Sequence, residues 1–147
     1  MFGLFRKYKN KKKQDVPLAS ILVIEDSEAD RVLIQRTLER KNYSIIVAQD
    51  GETGLKLVHE QKVDLIILDY FLPGMNGVEV CRILKGDKET RNIPIIFLTV
   101  VESGEKILEC YGSGGEAYIH KPINGKDLLR EVRTILLEPR ENYFEET

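Results

Sequence analysis

Five short apolar runs constrain this chain more than any other feature: "ILVIE" at 21–25, "SIIVA" at 44–48, "DLIILD" at 64–69, "IPIIFLT" at 93–99 and "AYIHK" at 117–121. Most are apolar at consecutive positions rather than at alternate ones, which is what a strand covered on both faces requires. The segments between them carry helical periodicity. Five strands and five helices in alternation over about 120 residues predict a three-layer α/β domain, a (βα)5 unit with a doubly wound parallel five-stranded sheet. Right-handed crossovers place helices on both of its faces.

The first helix has a clear start. Ser27, with Asp30 three residues on, reads as a capping box; Leu33, Thr37 and Leu38 continue one face, and the helix is expected to end near Lys41–Asn42. A second helix is expected over 52–61 with Leu55 and Val58 inward, and a third over 77–86 with Val80, Ile83 and Leu84 inward. The last, over 126–138, presents Leu128, Leu129, Val132, Ile135 and Leu136 as a broad stripe. The fourth segment, "ESGEKILECYGSGG", has four glycines and only Ile107, Leu108, Cys110 and Tyr111 to anchor it. Weak propensity and thin apolar content predict an element of low local stability.

At 147 residues, 42% hydrophobic, the chain suits one domain with short appendages: a basic tail over 1–18, a body over 19–138 and an acidic tail over 139–147. Cys81 and Cys110 are far apart and form no CxxC or Cys/His cluster, so both read as buried small apolar residues in a reducing, cytoplasmic setting. No run approaches the roughly 18 residues that a membrane span needs. The start, "MFGLFRKYKNKKK", places its apolar residues before its basic ones, the reverse of a secretory signal. Residues 1–13 hold six basic side chains and no acid, although the whole chain carries −2. Such a run reads as a solvated tail; with Phe2, Leu4, Phe5 and Tyr8 interleaved, weak contact with an anionic membrane surface or an acidic partner is the alternative.

In an open parallel sheet, ligands bind beyond the carboxyl ends of the strands. The residues there are Glu25 and Asp26, Asp69, Thr99 and Lys121. Three carboxylates at one edge repel one another unless a cation neutralises them, and a hard divalent ion such as Mg2+ suits that donor set. Thr99 and Lys121 add a hydroxyl and a cation to stabilise a phosphoryl group, with Asp69 as its acceptor. Pro73, Gly74 and Gly77 turn the chain sharply and leave Asp69 uncovered. Other phosphate sites lack their signatures: there is no GxxxxGK[ST] and no GxGxxG after a strand, and an aspartyl phosphatase would carry a second acid where Phe71 stands. His59 and His120 have no evident metal-binding companion and read as surface or structural residues.

The motifs "ILVIEDS", "LIILDYFLPGMNGVEV", "PIIFLT" and "AYIHKPI" together resemble the receiver domain of two-component response regulators, a chemotaxis-regulator-like fold of flavodoxin-like strand order 2-1-3-4-5. The resemblance implies that Glu25 and Asp26 hold Mg2+ with Asp69, that Phe71 supplies a backbone carbonyl ligand, and that Asp69 is phosphorylated. It also implies that Thr99 and Lys121 contact the phosphoryl group, that Tyr118 turns inward with Thr99, and that Lys121–Pro122 is where a cis bond aims the lysine. The donor is then a histidine kinase or histidine phosphotransfer protein. The resemblance further implies a phosphoryl-accepting switch rather than an enzyme.

Two features depart from the family pattern. Val100 stands where a small residue is common, and Phe71 and Val101 are apolar where polar residues can orient an attacking water, so a long-lived phosphorylated state is expected. About nine residues follow the last helix, too few for an output domain. The expected output is therefore contact with a downstream protein through the fourth helix, fifth strand and fifth helix, with no direct nucleic-acid binding. A receiver-like scaffold that binds irrespective of phosphorylation is the alternative.

Overall fold

The computed structural model describes residues 16–100 and 103–137. Residues 1–15 of the expected basic tail over 1–18, the whole of the expected acidic tail over 139–147, and Val101 lie outside the described residues. Five strands alternate with five helices: β1 (Ser20–Ile24), α1 (Glu28–Glu39), β2 (Ser44–Ala48), α2 (Gly51–Glu60), β3 (Leu65–Asp69), α3 (Gly77–Gly86), β4 (Ile95–Thr99), α4 (Gly104–Gly112), β5 (Ala117–His120) and α5 (Gly125–Leu137). All pairings are parallel and the order is β2-β1-β3-β4-β5. This is the flavodoxin-like order expected.

Alternate residues of each central strand feed two separate cores. Leu22, Ile24, Ile66, Leu68 and Phe97 pack with Val58 of α2, Val80, Cys81 and Leu84 of α3, and Cys110 of α4. Ile21, Val23, Leu65, Ile67, Ile96 and Leu98 pack with Ile34 and Leu38 of α1 and with Leu128 and Val132 of α5. Because side chains alternate across a strand, a run apolar at every position is what two covered faces need. β3 and β4 are buried along their whole length. Both cysteines are free and buried, as expected.

Two helices differ from expectation at one position each. Leu33 is exposed and Ile34 takes its inward place on α1; on α3, Ile83 is exposed and Cys81 is buried instead. The row Gly77, Val80, Cys81, Leu84 follows the i, i+3, i+4, i+7 pattern of a buried face, and Ile83 falls outside it. The capping box at Ser27 is only half made. Ser27 Oγ accepts from the Asp30 amide, but the Ser27 amide donates to Glu25 Oε1 rather than to Asp30. α1 ends at Glu39, slightly early, and Asn42 then adopts a left-handed conformation at φ 68°.

Candidate functional site

Parallel order brings five loops to the carboxyl edge of the sheet, and all the strand-end residues singled out above meet there. Asp69 is the last residue of central β3, and Thr99 the last of its neighbour β4. Glu25 and Asp26 follow β1, and Lys121 follows β5 and precedes a cis Lys121–Pro122 bond. Carboxylate oxygens of Glu25, Asp26 and Asp69 lie within 4.8 Å of one another. The Lys121 ammonium sits among the acids, with Nζ 2.9 Å from Glu25 Oε2, 3.0 Å from Asp30 Oδ2 and 3.2 Å from Asp69 Oδ2.

The turn beyond Asp69 owes its shape to two glycines. Gly74 has φ of +75°, and a Cβ at Gly77 would collide with the Asp69 carbonyl oxygen. The Gly77 amide donates to the Tyr70 carbonyl at 2.9 Å, closing the loop, and Asn76 caps α3 by accepting from Glu79 N at 2.9 Å. The Asp69 carboxylate is held from its own loop as well, since Phe71 N donates to Oδ1 at 3.2 Å.

Burial dominates the electrostatics. Glu25 is fully buried, and loss of hydration pushes its carboxyl up to about 7, despite the lowering influence of Lys121 and the Ser27 amide; the Asp69 charge pushes the same way as burial. Lys121 moves up as well: burial disfavours its charge, but Glu25, Asp30 and Asp69 outweigh that. Glu25 Oε2 has the Lys121 ammonium as its charge partner at 2.9 Å. Among the described residues it is the one buried side-chain oxygen or nitrogen with no hydrogen-bond partner. An oxygen so placed, beside two further carboxylates, fits a hard divalent cation.

Two residues of this site escaped the sequence reading. Asp30 is more than a cap residue, because its carboxylate is one of the three around Lys121. Arg31 Nη1 donates to the carbonyls of Glu25 and Asp26 at 2.9 and 2.8 Å, pinning the acidic loop to α1. The only available signal was their place on the first turn after the acidic pair.

The residues at the mouth are more exposed. Phe71 packs edge-on against Tyr70 with ring centroids 4.8 Å apart, and Lys106 of α4 lies over both rings. Tyr70 Oη donates to Glu109 Oε2 at 3.3 Å, a second link from the Asp69 loop to α4. Val100 is exposed beside Thr99. Tyr118, on β5, is half-buried and meets Tyr111 edge-to-face at 6.0 Å. His59, expected to lack companions, has two: Asp87 and Glu89 flank its ring, remote from Asp69.

The model of the response regulator receiver domain matches residues 21–133. The chain belongs to that family. Receiver domains are phosphoryl-accepting signalling switches rather than enzymes in the ordinary sense. The transcriptional regulatory protein AfsQ1 of Streptomyces coelicolor is 39% identical over 119 residues, 81% of this chain and 52% of AfsQ1. The response regulator PleD of Caulobacter vibrioides is 36% identical over 117 residues, 80% of this chain and 26% of PleD. The chain thus spans about half or less of these curated relatives.

Among solved receiver structures, chemotaxis protein CheY4 of Vibrio cholerae superposes with a TM-score of 0.77 at 30% identity, covering 80% of this chain and 98% of CheY4. The receiver domain of sensor histidine kinase PA1611 from Pseudomonas aeruginosa PAO1, with a magnesium ion coordinated in its active site cleft, gives 0.76 at 25% identity over 82% of this chain and 98% of that one.

Proposed function

We propose that this receiver domain is a Mg2+-dependent switch that takes a phosphoryl group from a phosphohistidine onto Asp69. The observation that supports it is the Lys121 ammonium enclosed by Glu25, Asp30 and Asp69 at the end of the central strand. An Asp69 carboxylate oxygen attacks phosphorus in line, the P–N bond to the donor imidazole breaks, and the imidazole leaves with the bonding pair and takes up a proton. Glu25, Asp26, Asp69 and the Phe71 carbonyl would hold the Mg2+, which when bound offsets the charge gathering on the phosphoryl oxygens. Lys121 exchanges a carboxylate for a phosphoryl oxygen, and Thr99 donates its hydroxyl to another.

The donor is a histidine kinase or histidine phosphotransfer protein. The signal leaves through α4, β5 and α5 to a downstream protein, with Tyr118 following Thr99 inward; no nucleic acid is contacted directly. A cytoplasmic setting suits this chemistry. Among the described residues no helix is long and apolar enough to cross a membrane. Val100 and Phe71 at the mouth restrict entry of water, giving a long-lived phosphorylated form, and Val100→Ala accelerates its loss.

The decisive experiment is modification by beryllofluoride or acetyl phosphate. It should require Mg2+ and vanish in Asp69→Asn; persistence in that variant overturns the assignment. No response in the native protein leaves a phosphorylation-independent scaffold as the reading.

A further inference from the structure

The amino edge of the sheet carries a second cluster. α2 leads into β3 and α3 leads towards β4, so the carboxyl ends of both helices lie at the edge opposite Asp69. His59 is in the last turn of α2, and Asp87 caps the end of α3. Both helix ends are negative poles, and an acid at such a pole is unfavourable unless a cation compensates it. Two carboxylates here flank one imidazole.

The geometry around His59 is asymmetric. Nδ1 lies 3.1 Å from Glu89 Oε2, a hydrogen-bond length, whereas Nε2 lies 3.4 Å from Asp87 Oδ2, beyond the usual N–H···O range of about 2.7–3.2 Å. The other oxygen, Asp87 Oδ1, accepts from Glu89 N at 2.9 Å, which leaves Oδ2 turned to the ring. If Nδ1 gives its proton to the bond with Glu89, Nε2 presents a lone pair to a carboxylate, a contact that a proton or a metal ion on Nε2 makes favourable. Bonds of about 2.1 Å from one ion to nitrogen and oxygen at near-tetrahedral angles set those two ligands about 3.4 Å apart. A carboxylate on the far ring nitrogen is the usual outer partner of a metal-bound histidine.

We propose that His59, Asp87 and Glu89 form a second divalent-cation site, of zinc type, at the sheet edge opposite Asp69. His59 Nε2 and Asp87 Oδ2 are the direct ligands, Glu89 orients the imidazole, and water completes the shell. One nitrogen and carboxylate oxygens suit a borderline transition ion better than Mg2+. The ligands are all within 4.8 Å of one another and accessible from solvent. The bound ion clips the end of α2 to the end of α3, and it does so whether or not Asp69 is phosphorylated.

The test is Zn2+ titration of the full chain, native and Asp69→Asn, in millimolar Mg2+ so that the acidic pocket is counted separately. One saturable site is expected in both backgrounds, at least 10-fold weaker in His59→Ala and Asp87→Asn and about 10-fold weaker in Glu89→Gln. The chain has two histidines, so imidazole 15N resonances of the native chain decide the matter without any variant: His59 Nε2 should shift and His120 should not. Absence of saturable binding up to about 100 µM Zn2+, equal affinity in His59→Ala, or a shift at His120 instead overturns the proposal.

Discussion

The two flanks of the Asp69 site are built to different standards. On one side, α1 buries Ile34 and Leu38, its Ser27 cap is made, and Asp30 and Arg31 tie it to the acidic loop and to Lys121. On the other, α4 is nine residues long, its N-cap Ser103 makes no side-chain hydrogen bond, and Cys110 is its one buried residue. Leu108 and Tyr111 of α4 face outward. A charge change at Asp69 therefore meets one wall that resists and one that yields, and the yielding wall is linked to the Asp69 loop through Tyr70–Glu109 and Lys106.

The sharpest way to break this contrast is a pair of truncations. Ile34→Ala in α1 should cost about 3 kcal/mol in urea unfolding, because it opens a cavity in a fully packed core. Leu108→Ala in α4 should stay within about 0.5 kcal/mol; equal costs would erase the distinction between the flanks.

Comparable in size is Glu25, whose raised carboxyl makes the rigid side pH-dependent. Its folded pKa of about 7 lies above the ordinary 4.5, so the folded state keeps the proton longer than the unfolded one. That contribution is fully present below pH 4.5 and is lost as pH rises through about 7. In metal-free protein, Glu25→Gln should therefore be more stable than native by about 3 kcal/mol at pH 8, with the difference gone at pH 4. A thermal melt across this range checks the sign.

The smallest effect sharpens the comparison rather than breaking it. Tyr70→Phe removes the hydroxyl that donates to Glu109 and should cost about 0.5–1 kcal/mol. Its signature is faster amide exchange in α4 with α1 unchanged.

How much of this was legible in the sequence follows from the kind of interaction involved. The strands announced themselves because burial on both faces forces apolar residues at consecutive positions, and the carboxyl-edge rule then collected Glu25, Asp26, Asp69, Thr99 and Lys121 without any knowledge of contacts. Helix phase was harder. Leu33 and Ile34 are both apolar, as are Cys81 and Ile83, and a shift of one residue turns the face by about 100°, so only packing against a particular strand decides which goes inward. Asp30 and His59 were illegible for a different reason: their partners, Lys121, Asp87 and Glu89, are remote in sequence and are brought close only by the crossover geometry.

The central claim is that a charge change at Asp69 is felt on the α4 side and not on the α1 side. Amide hydrogen exchange with Mg2+ and beryllofluoride, read segment by segment, tests it most directly. Protection should change over residues 104–121, hold constant over 28–39, and show no change anywhere in Asp69→Asn. A uniform change across both flanks, or none in the native protein, would contradict the account.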